Sequence, residues 1–281
     1  MISVALATYN GEKYIKEQLI SILNQTIKVD EIIICDDCSN DKTISIVKQI
    51  LKMNSLNIDI KIVENKSNMG YIANFNQAIE LTKGEYIFLA DQDDIWEIDK
   101  VEKSIKFLTD NNYDAMCSKF KLIDKYGNEI KDNANFSINN YLRNNKGNNT
   151  IPLSRLVFGN ISPGCTYCFN RRVKDIYLRV NDREVIHDYQ IMLIAASVGK
   201  VGLIDEPLIK YRLHDNNSIG FSKKKRAINI RIHKIRKKPI MVDFFQKLNR
   251  ITKVPDYSVY IIMYYLRIPH IKSKLRRLIF G

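Results

Sequence analysis

No apolar run in the 281-residue chain reaches the roughly 18–20 residues needed to span a bilayer, so no membrane-crossing helix is expected. No secretory leader is visible either. Met1 leads directly into the strand-like Ile2-Ser3-Val4-Ala5-Leu6-Ala7, and a cytosolic chain is expected. The five cysteines are odd in number and are expected to be reduced thiols. Cys165-Thr166-Tyr167-Cys168 has the C-x-x-C form but lacks a second pair to complete a zinc site, so both cysteines read as small core positions. The stretch Thr8–Glu12 after the first apolar run offers one glycine, too few for a phosphate-cradling glycine loop. No internal repeat is present.

Positive charge is scarce in most of the chain and crowded at its end. The net charge of +13 comes from residues 221–281, which hold 17 Lys and Arg against Asp243 and Asp256. The preceding 220 residues carry 27 basic and 29 acidic side chains and are close to neutral. An apolar fraction of 45% and a charged fraction of 27% are ordinary for a globular protein.

Strands alternate with helices along the first half. Residues 2–7 and 31–35 read as strands, 58–63 alternates as a third, and 85–90 is a short buried run after Gly84. Between them, Ile15, Leu19, Ile22 and Leu23 form one helical stripe, and a second helix covers about 41–53. Gly70 opens a helix with Ile72, Phe75 and Ile79 on one face, and Ile98, Val101, Ile105 and Leu108 form the stripe of the next. The pattern predicts a mostly parallel sheet covered by helices on both faces. The loops 8–12, 36–41 and 91–96 then open on the carboxyl edge, where such sheets bind ligands. Further strands are expected over 113–123, 201–205 and 208–213, with a short strand and a Pro-Gly turn in 160–169. Helices are expected from Arg171 and after His187-Asp188. Residues 132–149, with eight asparagines, read as a loop, either a flap over the site or a surface insertion.

The stretch Asp91-Gln92-Asp93-Asp94-Ile95-Trp96 stands out. Three carboxylates within four residues repel one another when buried, unless they share a cation. A hard divalent ion with positions left for phosphate oxygens suits them. The competing reading is a solvated acidic turn that caps the next helix.

These motifs, in order, resemble family 2 glycosyltransferases of the GT-A fold over about residues 1–220. The resemblance rests on Ala7-Thr8-Tyr9-Asn10, Asp36–Asp41, Asn68-Met69-Gly70 with Asn74, Asp91–Asp94, Pro163-Gly164-Cys165-Thr166 with Asn170-Arg171, His187-Asp188 and Tyr211-Arg212-Leu213-His214. The Asp-Gln-Asp-Asp form is most similar to bacterial rhamnosyltransferase-like members that build surface polysaccharides. Cys38 departs from the glycine usual in the family, which puts the shape of that turn in question.

The resemblance implies an α/β fold, a GT-A Rossmann-like mostly parallel sheet flanked by helices, with a basic helical extension. Residues 1–115 would bind the nucleotide sugar, 116–220 would form the acceptor-binding and catalytic half, and 221–281 would be a membrane-associating tail. It implies an inverting transfer from dTDP-rhamnose or a UDP-hexose to a hydroxyl of a lipid-linked surface glycan, with Mg²⁺ or Mn²⁺. Asp93 would ligate the metal, His214 would be a third ligand or a diphosphate contact, and Asp188 would be the general base. Thr8, Tyr9, Asn10, Asp36, Gly70, Asn74 and Asp91 would form the nucleotide site, with loop bracing the alternative for Asn74 and a helix cap the alternative for Asp188. Trp96 would wall the sugar pocket or anchor its helix, and Glu12 would cap the first helix. A sugar nucleotidyltransferase and a non-enzymatic carbohydrate- or nucleic-acid-binding protein are the rival readings.

The tail is read as binding an anionic membrane rather than nucleic acid, because the body has no nucleic-acid recognition motif. Ile271, Leu275, Leu278 and Ile279 form an apolar stripe flanked by Lys272, Lys274, Arg276 and Arg277, the pattern of an interfacial helix. Peripheral association with the inner face of the cell membrane is expected.

Overall fold

A computed structural model describes residues 1–53, 57–131, 138, 139, 141, 142, 149–214, 241 and 243–252. Most of the loop 132–149 and the stripe Ile271–Ile279 lie outside the described residues, and so do the flap and membrane readings that rest on them.

Four parallel strands form the nucleus: β1 (Ile2–Thr8), β2 (Glu31–Asp36), β3 (Asp59–Glu64) and β4 (Tyr86–Asp91). They stand in the order β3-β2-β1-β4. The central strands β1 and β2 are buried along their whole length, which explains their unbroken apolar character; the edge strand β3 alternates exposure. Helix α1 (Ile15–Leu23) buries the predicted stripe of Ile15, Leu19, Ile22 and Leu23. Helix α2 (Thr43–Met53) follows β2, and α3 (Tyr71–Leu81) packs against β1 and β2 through Phe75, Ala78 and Ile79.

The sheet changes direction beyond β4. A two-residue strand β5 (Ile95–Trp96) precedes α4 (Lys100–Asn111); β6 (Ala115–Ile123) and β7 (Glu129–Ile130) form a hairpin. A short helix α5 (Leu153–Leu156), a 3₁₀ turn at Gly164–Thr166 and β8 (Cys168–Asn170) lead into α6 (Arg171–Val180) and α7 (His187–Val198). The last strand, β9 (Val201–Arg212), is a single element where two were expected, and its pairing with β6 shifts register twice. β8 inserts antiparallel between β4 and β6, and β5 pairs antiparallel with β9, so the sheet is mixed rather than wholly parallel.

Local chemistry accounts for several ends. Asn170 caps α6 by accepting from the Val173 N–H at 3.0 Å. Asn112 and Asn181 close α4 and α6 in left-handed conformations. Cys38 has φ +65°, so the second loop keeps the glycine-like turn despite its cysteine.

Two inward faces differ from expectation. Ile98 lies before α4 and is exposed, whereas Lys100 and Ser104 are buried with Val101 and Leu108. Residues 243–252 are helical, and Phe244, Phe245 and Leu248 join Met241 in the core. Part of the chain read as a basic tail therefore packs into the body. Among the described residues, no helix is long and apolar enough to cross a membrane.

Candidate active site at the carboxyl edge

The parallel register brings the ends of three strands together. Thr8 pairs with Asp36, and Ala7 pairs with Asp91. The loops after β1, β2 and β4 therefore leave the sheet side by side.

The first two loops are tied to each other. The Thr8 hydroxyl donates to Asp36 Oδ1 at 2.7 Å. Asp36 also accepts from the Ser39 hydroxyl at 2.6 Å and the Ser39 N–H at 2.8 Å. A carboxylate has about four acceptor positions, so one remains for a ligand donor. Asn10 accepts from the Asn40 N–H at 2.9 Å, in a left-handed conformation. Tyr9 leaves its ring exposed at 44%, with an aromatic face open to solvent. Glu12 accepts from the Lys42 N–H at 3.1 Å, linking the first loop to the start of α2 rather than capping α1.

A second layer supports these loops. Asn74 is buried, donates to the carbonyls of Cys35 and Thr8, and accepts from Asn65 at 3.1 Å; these are the contacts of a brace. Asp37 accepts the Met69 and Gly70 N–H groups at 2.7 and 2.8 Å. Gly70 turns into α3 with φ +84°, a conformation that suits glycine.

The acidic turn sorts its carboxylates into different surroundings. Asp93 Oδ2 and His214 Nε2 share a hydrogen bond of 2.7 Å, although 121 residues separate them. Asp94 points inward and accepts from the Arg212 N–H at 3.1 Å through Oδ1. Ligand atoms of Asp91, Asp94 and Cys165 all lie within 4.8 Å of one another. Burial, then the charges of Asp93 and Asp188, push Asp91 up to about 7. Burial and the charges of Asp93 and Asp91 hold Asp94 well above the carboxylate range. Negative charge is thus crowded here beyond what the protein neutralises. The carboxylate of Asp93 and the imidazole of His214 are donors of the kind a hard divalent cation takes, while the three-ligand cluster among the described residues is Asp91, Asp94 and Cys165. Asp94 is 1% exposed and serves the turn from beneath.

Asp188 borders the same space: it packs against Gly164, whose chain neighbour Cys165 lies with Asp91 and Asp94. It lies inside the first turn of α7, whose N-cap is Ile186, so it is not the cap residue. Its Oδ1 accepts from the Tyr189 N–H at 2.6 Å. Gly164 packs against it: a Cβ there would fall 2.8 Å from Asp188 Cβ and 3.1 Å from Oδ2. His187 is turned into the core, stacked on Phe75 at 4.1 Å, and burial lowers it to about 3.

Trp96 is 3% exposed and anchors the interior rather than a pocket wall. Its ring and that of Phe88 flank the buried Lys100 amine, which donates to the Cys165 carbonyl at 3.1 Å. Burial lowers Lys100 to about 8. Both C-x-x-C cysteines are free and buried, as small core positions should be. Gln92, Asp37, Gly164, Cys165 and Lys100 support the site without having been singled out for it. All but Lys100 stand inside the motifs quoted for the resemblance, without a role of their own there.

A mixed sheet with these loops opening beside an acidic turn is a fold of the GT-A type. The model of the family "Glycosyl transferase family 2" matches residues 3–175, and the chain belongs to that family. An uncharacterised glycosyltransferase of Haemophilus influenzae is 30% identical over 220 residues, covering 78% of this chain and 67% of that protein. The dTDP-rhamnosyl transferase RfbG of Shigella flexneri is 30% identical over 226 residues, covering 76% and 73%. Two further relatives match over about half of their own length, 51% and 46%. The mannosyltransferase PcManGT of Pyrobaculum calidifontis, solved with GDP-Man and Mn²⁺, superposes with a TM-score of 0.60 at 20% identity, covering 95% of this chain and 69% of that one. At that identity the likeness speaks for the fold.

Proposed function

We propose that this glycosyltransferase moves a sugar, from dTDP-rhamnose or a UDP-hexose, to a hydroxyl of a growing lipid-linked surface glycan with inversion at the anomeric carbon. The observation that carries the reading is that two consecutive residues join the carboxylates of the acidic turn to Asp188 on α7: Gly164 packs against Asp188, and Cys165 lies within 4.8 Å of Asp91 and Asp94. A donor diphosphate at the turn and an acceptor hydroxyl at Asp188 would then meet in one space.

Tyr9 offers its ring to the nucleobase, and Asp36, held by Thr8 and Ser39, offers its remaining acceptor position to a base N–H. Asn10 and Gly70 shape the loops around the nucleotide, and Asn74 holds them from below. Asp91 faces the ribose or shares the metal. Asp93 and His214 hold Mg²⁺ or Mn²⁺. When bound, the ion neutralises charge that develops on the departing diphosphate. Asp188 takes the proton of the acceptor hydroxyl. The hydroxyl oxygen forms the new bond to the anomeric carbon while the bond to the donor phosphate oxygen breaks, its electron pair leaving with the diphosphate. A single displacement inverts the configuration. The RfbG relative supports a rhamnosyl donor. The charge of residues 221–281 supports peripheral attachment to an anionic membrane face, where a lipid-linked acceptor would lie.

The test is a thermal-shift screen of dTDP-rhamnose, UDP-glucose, UDP-GlcNAc and GDP-mannose, each with and without Mn²⁺. A Mn²⁺-dependent rise in melting temperature with one donor is expected, and Asp93→Ala should remove it while remaining folded. Equal donor affinity in variant and parent, with or without Mn²⁺, would overturn the metal assignment.

A further inference from the structure

The acidic turn and His214 belong to segments that meet only in the folded chain, and one side chain joins them. Arg212 ends β9, two residues before His214, and is 1% exposed. Its Nε donates to the Asp93 carbonyl at 2.8 Å, and its Nη1 donates to the Asp124 carbonyl at 3.4 Å. Its Nη2 pairs with Glu17 on α1, and its backbone N–H donates to Asp94. The guanidinium also lies over the Tyr14 ring, 4.8 Å from its centroid. The same ring stands 4.8 Å from the His214 imidazole, tilted by 32°. Arg212 therefore fixes the backbone of Asp93, and Tyr14 fixes the plane of His214.

We propose that Arg212 and Tyr14 are positioning residues that hold Asp93 and His214 in the geometry that receives a divalent cation. The inference rests on the metal reading of this site. Arginine suits the task because its planar fork can serve Asp93, Asp124 and Glu17 at once, whereas a lysine ammonium cannot match that geometry. A fully buried cation whose partners come from three separate elements holds those elements in one arrangement. The far end of the fork is met by Glu17, whose own side chain is 56% exposed. Groups that orient metal ligands commonly change metal affinity by about 10–100-fold when removed.

The experiment is titration of the full-length protein with Mn²⁺ alone and with Mn²⁺ plus UDP, following the free-ion signal by electron paramagnetic resonance. Melting temperature and circular dichroism are recorded alongside. Arg212→Lys and Tyr14→Leu should each weaken Mn²⁺ binding by about 10-fold or more. Tyr14→Phe, which keeps the ring, should retain parental affinity. Tyr14 is only half-buried, so Tyr14→Leu decides the matter if Arg212→Lys does not fold. Parental Mn²⁺ affinity in a folded Tyr14→Leu or Arg212→Lys overturns the positioning role and leaves the metal reading standing. A parent protein that binds no Mn²⁺ overturns the metal reading and this inference together.

Discussion

Gln92 closes a two-bond pair with the backbone of Tyr9: its Oε1 accepts from the Tyr9 N–H at 2.8 Å, and its Nε2 donates to the Tyr9 carbonyl at 2.9 Å. The amide thus mimics a strand partner and ties the first loop to the acidic turn. Gly11 leaves the space for it, since a Cβ there would stand 2.2 Å from Gln92 Oε1.

Gln92→Glu removes the donor and sets a carboxylate against a carbonyl. Loss of one such bond costs about 1 kcal/mol, so nucleotide affinity should fall roughly 5- to 10-fold with little change in melting temperature. Gly11→Ala should cause a similar loss by displacing the same side chain. The two effects should not add, because both act through one contact. Isothermal titration of Gln92→Glu, Gly11→Ala and the double variant checks this, and simple additivity would show that Gly11 acts elsewhere.

Asp188→Asn preserves the acceptor for the Tyr189 N–H but cannot take a proton at neutral pH. Donor binding should stay near normal while transfer falls by roughly 10²-fold or more. Gly164→Ala should also slow transfer, because its new Cβ would push Asp188 out of place. Donor affinity should hold in both variants. Transfer at the parental rate in Asp188→Asn would make that residue structural only.

His187 supplies a pH dependence of stability. Its folded value, about 3, lies below its ordinary 6.5, so the unfolded chain binds a proton that the folded chain refuses. Its contribution is fully present above about pH 6.5 and is lost as pH falls toward the folded value. Between pH 7 and pH 5 that loss is about 2 kcal/mol. His187→Phe, which keeps a ring against Phe75, should flatten the acid limb of the stability curve by about that amount in urea melts. An identical acid limb in parent and variant would place the sensitivity on other groups.

The basic segment is testable by two truncations. A chain ending at Gly220 lacks Met241, Phe244, Phe245 and Leu248, and each buried side chain of this kind contributes about 1.5–3 kcal/mol. It also lacks Lys247, whose amine reaches Asp182 Oδ2 at 3.0 Å. Marked destabilisation is expected. A chain ending at Thr252 keeps those contacts and loses the Ile271/Leu275/Leu278/Ile279 stripe, so it should fold and bind donor yet sediment less with anionic liposomes. The parent's binding should weaken as salt rises. Equal sedimentation of the two, or a preference of the parent for neutral liposomes, would remove the membrane role.

The family resemblance supplied Thr8, Asp36, Asp93, Asp188 and His214 as candidates, and the sequence by itself determined the alternation from β1 to α4 and the carboxyl-edge position of three loops. Each is encoded locally: a helix or strand declares its inward face by its own period, and short polar motifs stand out where that period stops. Tertiary structure decided the partners. Arg212 meets Asp94, and His214 meets Asp93, across 118 and 121 residues, through a strand order that no local pattern records. It also decided which polar residues turn inward. Lys100 and Asp94 are buried where Ile98 is exposed, because the cost of burying a charge depends on the hydrogen bonds and rings brought by distant segments. Periodicity sees only near neighbours. For that reason the sequence displayed the groups suited to chemistry, while the Arg212, Tyr14, Gln92 and Gly164 contacts around them emerged only once β5, β8 and β9 had closed the second half of the sheet.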